Sequence, residues 1–335
     1  MVTVKDVAEK SGVSVSTVSH VINGTRFVSE DLRNKVREAM NTLDYKPNLI
    51  ARSLRTKRSN ALGLIIADIT NPYYSEIARN IEYLGHLQDY TVMLCNSEGD
   101  PIKEEFYIRR LSEARADGII IVSSKIQPEL LKEMVGEHLP VIFIDKHGSG
   151  IQGDLIAIDE FGGGRMATEH LISLGHQRIA CVNGMSINYL NQERVNGYRA
   201  AIEAAGLPLD ELLVVSSGFD VVDGYRNGTA LLEMKNRPTA IFATGDLIAY
   251  GVIQAAYQMG LRIPEELSVV GFDDIYLSEY FIPPLTTVKQ PLYEISEAAI
   301  NCFFERMENN HKTGRTIHYN VHLEVRESTG PANEK

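Results

Sequence analysis

Cysteine is scarce in this sequence, and long apolar runs are absent. Cys95, Cys181 and Cys302 lie far apart, and none belongs to a Cys-x-x-Cys pair or a Cys/His cluster. That pattern argues against a disulfide framework or a zinc site and leaves three reduced core thiols. No stretch approaches the roughly 20 apolar residues that a membrane-spanning helix needs. The opening MVTVKDVAEK also lacks the apolar core of a secretory signal, so the chain is expected in the cytoplasm, without a membrane partner. Phosphate-binding signatures are missing as well: no Gly-x-Gly-x-x-Gly follows the first strand-like run, and no Gly-x-x-x-x-Gly-Lys-Ser/Thr occurs. Gly162-Gly163-Gly164 lacks a phosphate-binding spacing and reads as a closely packed helix start. His170 and His176 have no third ligand and no His-Glu-x-x-His around them, so they read as structural or surface histidines. No catalytic constellation emerges, and no metal or cofactor is called for.

What is present is an asymmetry of charge. The 335 residues carry a net charge of −11, but residues 1–60 hold eleven Lys and Arg against six Asp and Glu, a local balance of +5. The remaining residues stand at −16. A short basic segment on an acidic bulk is the pattern of a chain in which only that segment meets nucleic acid.

Within the basic segment, Val4, Val7 and Ala8, then Val13, Val18, Val21 and Ile22, recur at helical spacing, interrupted at Ser11-Gly12 where a helix can end. Thr3 with Asp6 can cap the first helix, Ser14 the second, and Ser29 a third whose face carries Leu32, Val36, Ala39, Met40 and Leu43. Three short helices with a tight turn between the first two describe a helix-turn-helix unit. In such a unit the second helix enters the major groove, so its outward residues must be small and able to bond base edges. Ser16, Thr17 and His20 suit that, Val15 can touch a thymine methyl, and Ser19, Asn23 and Arg26 can hold phosphates or reach a base.

Pro47 and Asn48 can start another helix, about two turns long and marginal alone in water. It sets Arg52, Arg55, Lys57 and Arg58 beside Leu49, Ile50, Ala51 and Leu54. Leu54, apolar among arginines, can wedge between base pairs in the minor groove. A basic linker is the plainer alternative for this stretch.

After Asn60, runs rich in Ile and Val (ALGLIIAD, YTVMLCNS, DGIIIVSS, PVIFIDK, RIACVNG, LLVVSS, TAIFATGD, SVVGFDD) alternate with amphipathic segments. These are buried parallel strands separated by helices, in two series that imply two doubly wound lobes. A ligand would sit between them, at the carboxyl ends of the strands. The residues found there are Asn71, Tyr73 and Tyr74, Asp145 and Lys146, Phe219, Asp246, Asp273 and Gln290. Carboxylates, amides and a cation between aromatic rings suit a sugar, whose hydroxyls need donors and acceptors while its C–H faces need flat apolar walls. Taken singly, each has a duller reading: Asn71 in a turn, Asp246 as a helix cap, Tyr74 in the core.

The strings Asp6-Val7-Ala8, Gly12-Val13-Ser14, Thr17-Val18-Ser19, Val21-Ile22-Asn23 and Tyr45-x-Pro47-Asn48-x-x-Ala51-Arg52-x-Leu54 resemble the LacI/GalR family of transcription regulators, and the likeness continues through the chain. Its ribose and purine repressor branch is the nearest in the first stretch. The resemblance implies an all-α helix-turn-helix headpiece followed by an α/β, two-lobed, periplasmic-binding-protein-like domain. The boundaries are 1–46 for the headpiece, 47–60 for a hinge helix or linker, and 61–330 for the effector-binding and dimerisation domain. In that domain the first lobe takes about 61–160 plus 291–310 and the second about 161–290 plus 311–330. The implied partners are a palindromic double-stranded DNA operator, a second copy of the chain and a small-molecule effector. Candidate DNA contacts are Thr3, Val15, Ser16, Thr17, Ser19, His20, Asn23, Arg26, Asn48, Ala51, Arg52, Leu54 and Arg55, with Leu54 as the intercalating hinge leucine.

The resemblance adds Arg194, in ERVNGYR, as a ligand clamp to the strand-end residues. Two departures count against ribose itself: Lys146 replaces an arginine, and Gly245 stands where an asparagine contacts ribose. Asn188 in place of an arginine counts against purines. The expected effector is therefore a sugar, sugar derivative or sugar phosphate, with Lys146 as a partner for an anion. A purine or nucleoside, or a partner protein, is the alternative. A transport-type binding protein would share the lobes but has no use for a basic helix-turn-helix. The final RESTGPANEK shows no leucine heptads, so a dimer is expected in place of a coiled-coil tetramer.

Overall fold

The computed structural model describes residues 2–23, 26–45, 58–136, 139–146, 153–184, 189–216, 218–309 and 314–333. The chain forms two compact units, residues 1–59 and 60–335.

The first unit contains α1 (Val4–Ser11), α2 (Val15–Asn23) and α3 (Glu30–Thr42). α1 stops at Gly12, whose φ of +68° is the left-handed conformation that a Cβ disfavours. Thr3 starts α1: its backbone N–H and its hydroxyl both donate to the Asp6 carboxylate, at 2.7 and 2.9 Å. Those bonds hold the exposed Asp6 carboxyl below its usual pKa. Ser29 stands at the start of α3, but its hydroxyl makes no capping bond. Val7, Val18 and Val36, one from each helix, are fully buried, and Ala8 and Ala39 nearly so. So small a core buries little apolar area, which leaves the unit marginally stable.

The second unit begins with β1 (Ala61–Ile66), α4 (Pro72–His86), β2 (Thr91–Asn96), α5 (Pro101–Glu113), β3 (Gly118–Val122), α6 (Pro128–Val135), β4 (Val141–Ile144) and β5 (Asp154–Ile158). A second series follows: α7 (Glu160–Ser173), β6 (Ile179–Asn183), α8 (Tyr189–Ala204), β7 (Val214–Ser216), α9 (Val221–Leu232), β8 (Ala240–Ala243), α10 (Asp246–Gln258), β9 (Ser268–Asp273) and β10 (Thr286–Lys289). α11 (Leu292–Asn309), β11 (Thr316–Tyr319) and β12 (His322–Glu324) close the unit. The first sheet runs β11-β5-β4-β3-β1-β2, all parallel; the second runs β12-β10-β9-β8-β6-β7, parallel except for the β10–β12 pair. Alternate residues of one strand serve opposite faces of the sheet. Ile119 and Ile121 pack with Ile108, Leu111 and Leu131 of α5 and α6, while Ile120 packs with Ile77, Ile81 and Phe303 of α4 and α11.

The chain passes between the lobes three times: at Asp159, at Gln290-Pro291 and at Asn320-Val321. The last passage corrects the expected boundary, which gave 311–330 to the second lobe. Thr316–Tyr319 pairs with β5 in the first sheet, and only His322–Glu324 joins the second. The run HYNVHLEV alternates like one strand because both halves are strands. Alternation says nothing about which sheet each half enters. Among the described residues no helix is long and apolar enough to cross a membrane.

Candidate functional site

In the first unit, α2 turns Val18 inward and leaves Val15 (42% exposed) and Ser16 at the surface, with Thr17, Ser19 and His20 half-buried. Ser14 accepts the Thr17 N–H at 3.1 Å and shares hydrogen bonds with the hydroxyls of Ser16 and Thr17. The start of α2 therefore presents a methyl-bearing residue and a set of small hydroxyls on a short, capped helix. Arg26 and Phe27 are exposed beyond its end. Asn48, Ala51, Arg52, Leu54 and Arg55 lie outside the described residues, as does the side chain of Asn23.

In the second unit, both lobes contribute to one polar cavity of about 50 Å³. The first lobe supplies Asn71, Tyr73 and Tyr74 from the start of α4, Ser123 after β3 and Asp145 after β4. The second supplies Glu160 from α7, Asn191 and Arg194 from α8, Phe219 before α9, Thr244 and Gly245 after β8, Leu247 and Ile248 from α10, and Asp273 from β9. That volume holds only a few waters, well below the 300–1,000 Å³ of typical ligand pockets. Ligand entry therefore requires the lobes to part or side chains to turn.

Arg194 organises the cavity. Its guanidinium donates to both oxygens of Glu160, to the Thr244 carbonyl at 2.6 Å and to Asp273 Oδ1 at 3.3 Å. It also lies over the Phe272 ring, 3.6 Å from the centroid. Glycines hold it there: a Cβ on Gly164 would come within 2.1 Å of the Arg194 carbonyl oxygen, so α7 and α8 touch only because the side chain is missing. The triple-glycine run is thus a packing device. Across the cavity Tyr73 donates a short hydrogen bond to Asp145, and Tyr74 donates to Ser123 at 3.3 Å. The two tyrosine rings meet edge to face at 5.0 Å.

Burial sets the electrostatics. It pushes the Asp145 and Asp273 carboxyls up to about 7, with the charge of Glu160 adding to both. The Glu160 carboxyl is raised for the same reason, against the pull of Arg194. Burial pushes Tyr74 up to about 12. Burial alone would lower Arg194, but Glu160 and Asp273 outweigh it and hold the guanidinium charged. Asp145 Oδ1 and Asn191 Nδ2 are buried and have no hydrogen-bond partner among the described residues. An unmet buried polar atom costs about 1–3 kcal/mol, which a ligand can recover. Ser123, Asp145 and Asp273 all adopt positive φ, 112° at Asp273, and such strain gathers at binding sites.

The structure therefore brings together seven of the strand-end and clamp candidates: Asn71, Tyr73, Tyr74, Asp145, Arg194, Phe219 and Asp273. Three others are corrected. The Lys146 ammonium turns away, donating to the Ile126 carbonyl at 2.5 Å and lying 5.1 Å from the Phe143 ring centroid. Among the described residues it is bonded to no carboxylate of the cavity. Asp246 is wholly buried and accepts from Ile275 N, Ser278 and Thr287, so it ties the start of α10 to the loop after β9. Gln290 does not line the cavity; it donates to Asp273 Oδ1 at 2.7 Å and orients that carboxylate. Ser123, Glu160, Asn191 and Thr244 went unpredicted. Glu160 stands two residues after the end of β5, and Asn191 lies three residues before Arg194 on one helix face, so both carried a usable signal. Away from the cavity, His176 bonds Thr239, Ser268 and the Gly330 carbonyl, and His170 bonds Thr329, so both pin the C-terminal segment.

A helix-turn-helix unit on a basic segment, followed by two lobes around a polar cavity, defines the class: a DNA-binding transcription regulator with a two-lobed ligand-binding body. Residues 3–48 match the model of the bacterial regulatory proteins of the lacI family, and residues 168–329 match a periplasmic binding protein-like domain. The chain is 36% identical to the HTH-type transcriptional repressor PurR of Photobacterium profundum over 334 residues, which is 99% of this chain and 100% of that one. A LacI family transcriptional regulator from Enterococcus faecium, solved with bound ribose, superposes with a TM-score of 0.75 at 30% identity, over 82% of this chain and 100% of the other. The Lac repressor dimer bound to operator and an anti-inducer superposes with a TM-score of 0.86 at 27% identity, over 98% and 99%. The chain belongs to the LacI family of bacterial regulatory proteins. It is a DNA-binding transcriptional repressor and not an enzyme.

Proposed function

We propose that this repressor acts as a homodimer on an inverted-repeat operator of a carbohydrate-utilisation operon, and that its effector is a neutral sugar or sugar derivative. The observation that carries the reading is the polar composition of the cavity. Three carboxylates face one guanidinium, with a buried carboxylate oxygen and a buried amide N–H left without partners. Hydroxyl groups, each both donor and acceptor, answer that set, and the tyrosine rings and Phe219 offer flat apolar walls. A phosphate would meet repulsion from Asp145, Glu160 and Asp273 with Lys146 turned away, so the sugar phosphate is dropped. The solved relative holding ribose supports the same class. On the second lobe, Val222, Tyr257, Tyr280 and Ile282 are exposed apolar side chains, which supports pairing with another copy.

A purine or nucleoside is the second reading, favoured by the likeness to the repressor named PurR. Calorimetric titration of the purified protein with pentoses, hexoses, hypoxanthine and adenosine separates the two. Heat with a sugar and none with the purines is expected; binding of purines alone would overturn the sugar reading. The DNA contacts proposed are the outward residues of α2, helped by Leu54 and its neighbours in the hinge. Ligand-driven movement of the lobes changes the spacing of two paired hinge segments and so the affinity for DNA.

A further inference from the structure

Across the cavity the two lobes face each other with charge of the same sign. Among the described residues, Asp145 is the charged side chain that the first lobe contributes, and Glu160, Asp273 and Arg194 face it from the second. Arg194 is held within its own lobe, where it donates to Glu160, Asp273 and the Thr244 carbonyl. Tyr73, which donates to Asp145, belongs to the first lobe, as do Tyr74 and its partner Ser123. Burial pushes both phenols up, so they stay neutral. No hydrogen bond or ion pair between described residues joins the first lobe's wall of the cavity to the second's. The other charged groups nearby are bonded elsewhere: Asp246 to three donors, Asp274 to Lys289 and Arg326, and Lys146 to the Ile126 carbonyl. Asp159, at the cap of α7, and Glu193 on α8 add negative charge beside Glu160. With every carboxyl ionised, a cavity of about 50 Å³ would enclose three negative charges against one positive, with room for only a few waters. Asp145 Oδ1 has no hydrogen-bond partner among the described residues.

We infer that the cleft is gated by a proton: one proton shared among Asp145, Glu160 and Asp273 holds the ligand-free lobes together, and its release drives them apart. The shared proton removes one of the charges that oppose each other across the cavity, whereas opening lets water solvate all three. In the closed cleft burial, with the charge of Glu160 adding to it, holds the Asp145 and Asp273 carboxyls at about 7. A carboxyl that returns to water titrates near pH 4 instead, at about its ordinary value. Between those values the closed form keeps a proton that the open form gives up, so closure is favoured at low pH and lost as pH rises toward 7. For one proton, the ratio of open to closed molecules grows about tenfold per pH unit across that window. A ligand that donates a hydrogen bond to Asp145 Oδ1 stabilises the ionised carboxylate and takes over the part of the proton, so binding expels it. The body thus responds to acidity at its ligand site, whichever ligand that site takes.

The test is amide hydrogen exchange of the ligand-free full chain between about pH 5 and 7, the window set by linkage, with the intrinsic pH dependence of exchange divided out. It is read at the first turn of α10. Leu247 and Ile248 line the cavity there, in a turn whose N–H groups no side chain caps, so opening the cleft exposes them to water. In wild type their exchange is expected to rise about tenfold per pH unit, while the amides of β8 stay better protected at every pH, which separates opening from unfolding. Asp145→Asn keeps the shape without the charge and is expected to lower that slope to about threefold per unit or less. Asp273→Asn, on the other lobe, is expected to do the same and decides the matter if the first variant does not fold. Exchange in wild type that does not change with pH, first-turn amides no faster than those of β8, or a slope as steep as wild type in the folded variants would overturn the proton gate.

Discussion

In the headpiece, the residues proposed to contact DNA stand at the surface around a core of three valines, whereas in the body Asp145, Arg194 and Asp273 are buried, Arg194 bonded to Asp273 and Asp145 to Tyr73. The headpiece can therefore exchange a polar contact residue at little cost in stability, but it has almost no core to spare. The body has two large apolar clusters and can carry the desolvation of several charges, and its contact residues are at the same time structural ones. Recognition and stability are separable in one unit and entangled in the other.

Arg194→Met should sharpen this contrast most. It leaves Glu160 and Asp273 buried without their cation, at a cost of about 3–5 kcal/mol in urea unfolding of the body, and it abolishes ligand response. A loss below about 1 kcal/mol, the range of exposed ion pairs, would break the claim that the ligand contacts support the body. Val36→Ala tests the other side. Removing methyl groups from so small a core should cost about 2 kcal/mol and weaken DNA binding severely at 37 °C, while ligand titration is unaffected. Preserved DNA binding at that temperature would show the headpiece to be sturdier than its core implies.

A third test uses pH. Burial holds the folded Asp273 carboxyl at about 7, so between about pH 4 and 7 the folded state keeps a proton that the unfolded chain has released. The stability this residue contributes is present in full below pH 4 and is lost as pH rises toward 7. Asp273→Asn stays neutral, so the variant should gain on wild type between pH 5 and pH 8 in urea unfolding while losing ligand response. A stability difference that stays constant across that range would contradict the raised carboxyl of the buried Asp273. The smallest effect on stability is expected for Ser16→Ala: within about 0.5 kcal/mol, as for other surface changes, with a clear loss of DNA affinity. A large loss of stability there would merge the two regions that the comparison separates.

Much of this was legible in the sequence because backbone periodicity and side-chain polarity agreed. The Val/Ile runs became parallel strands, Gly12 took its left-handed turn, and Val7, Val18 and Val36 found one another. Position at a strand end predicted proximity to the cavity but not the direction of a side chain. Asp145 and Lys146 are adjacent, yet one faces the cavity and the other reaches the Ile126 carbonyl. Asp246 and Asp273 look alike in sequence, but three donors close around Asp246 and remove it from the site. The split of HYNVHLEV between two sheets depended on long-range pairing that alternation does not encode. Glu160, two residues after β5, and Asn191, three residues before Arg194 on the same helix, carried a signal that the strand-end reading did not use.

The most direct test of the account is to select duplexes from a random DNA library with the purified full chain at near-physiological salt, with and without a panel of pentoses, hexoses and purines. The account predicts enrichment of an inverted repeat whose recovery changes when one sugar is present. No enriched motif under any condition would contradict the reading of α2 as a sequence-specific DNA contact, and an inverted repeat that responds only to purines would contradict the reading of the cavity.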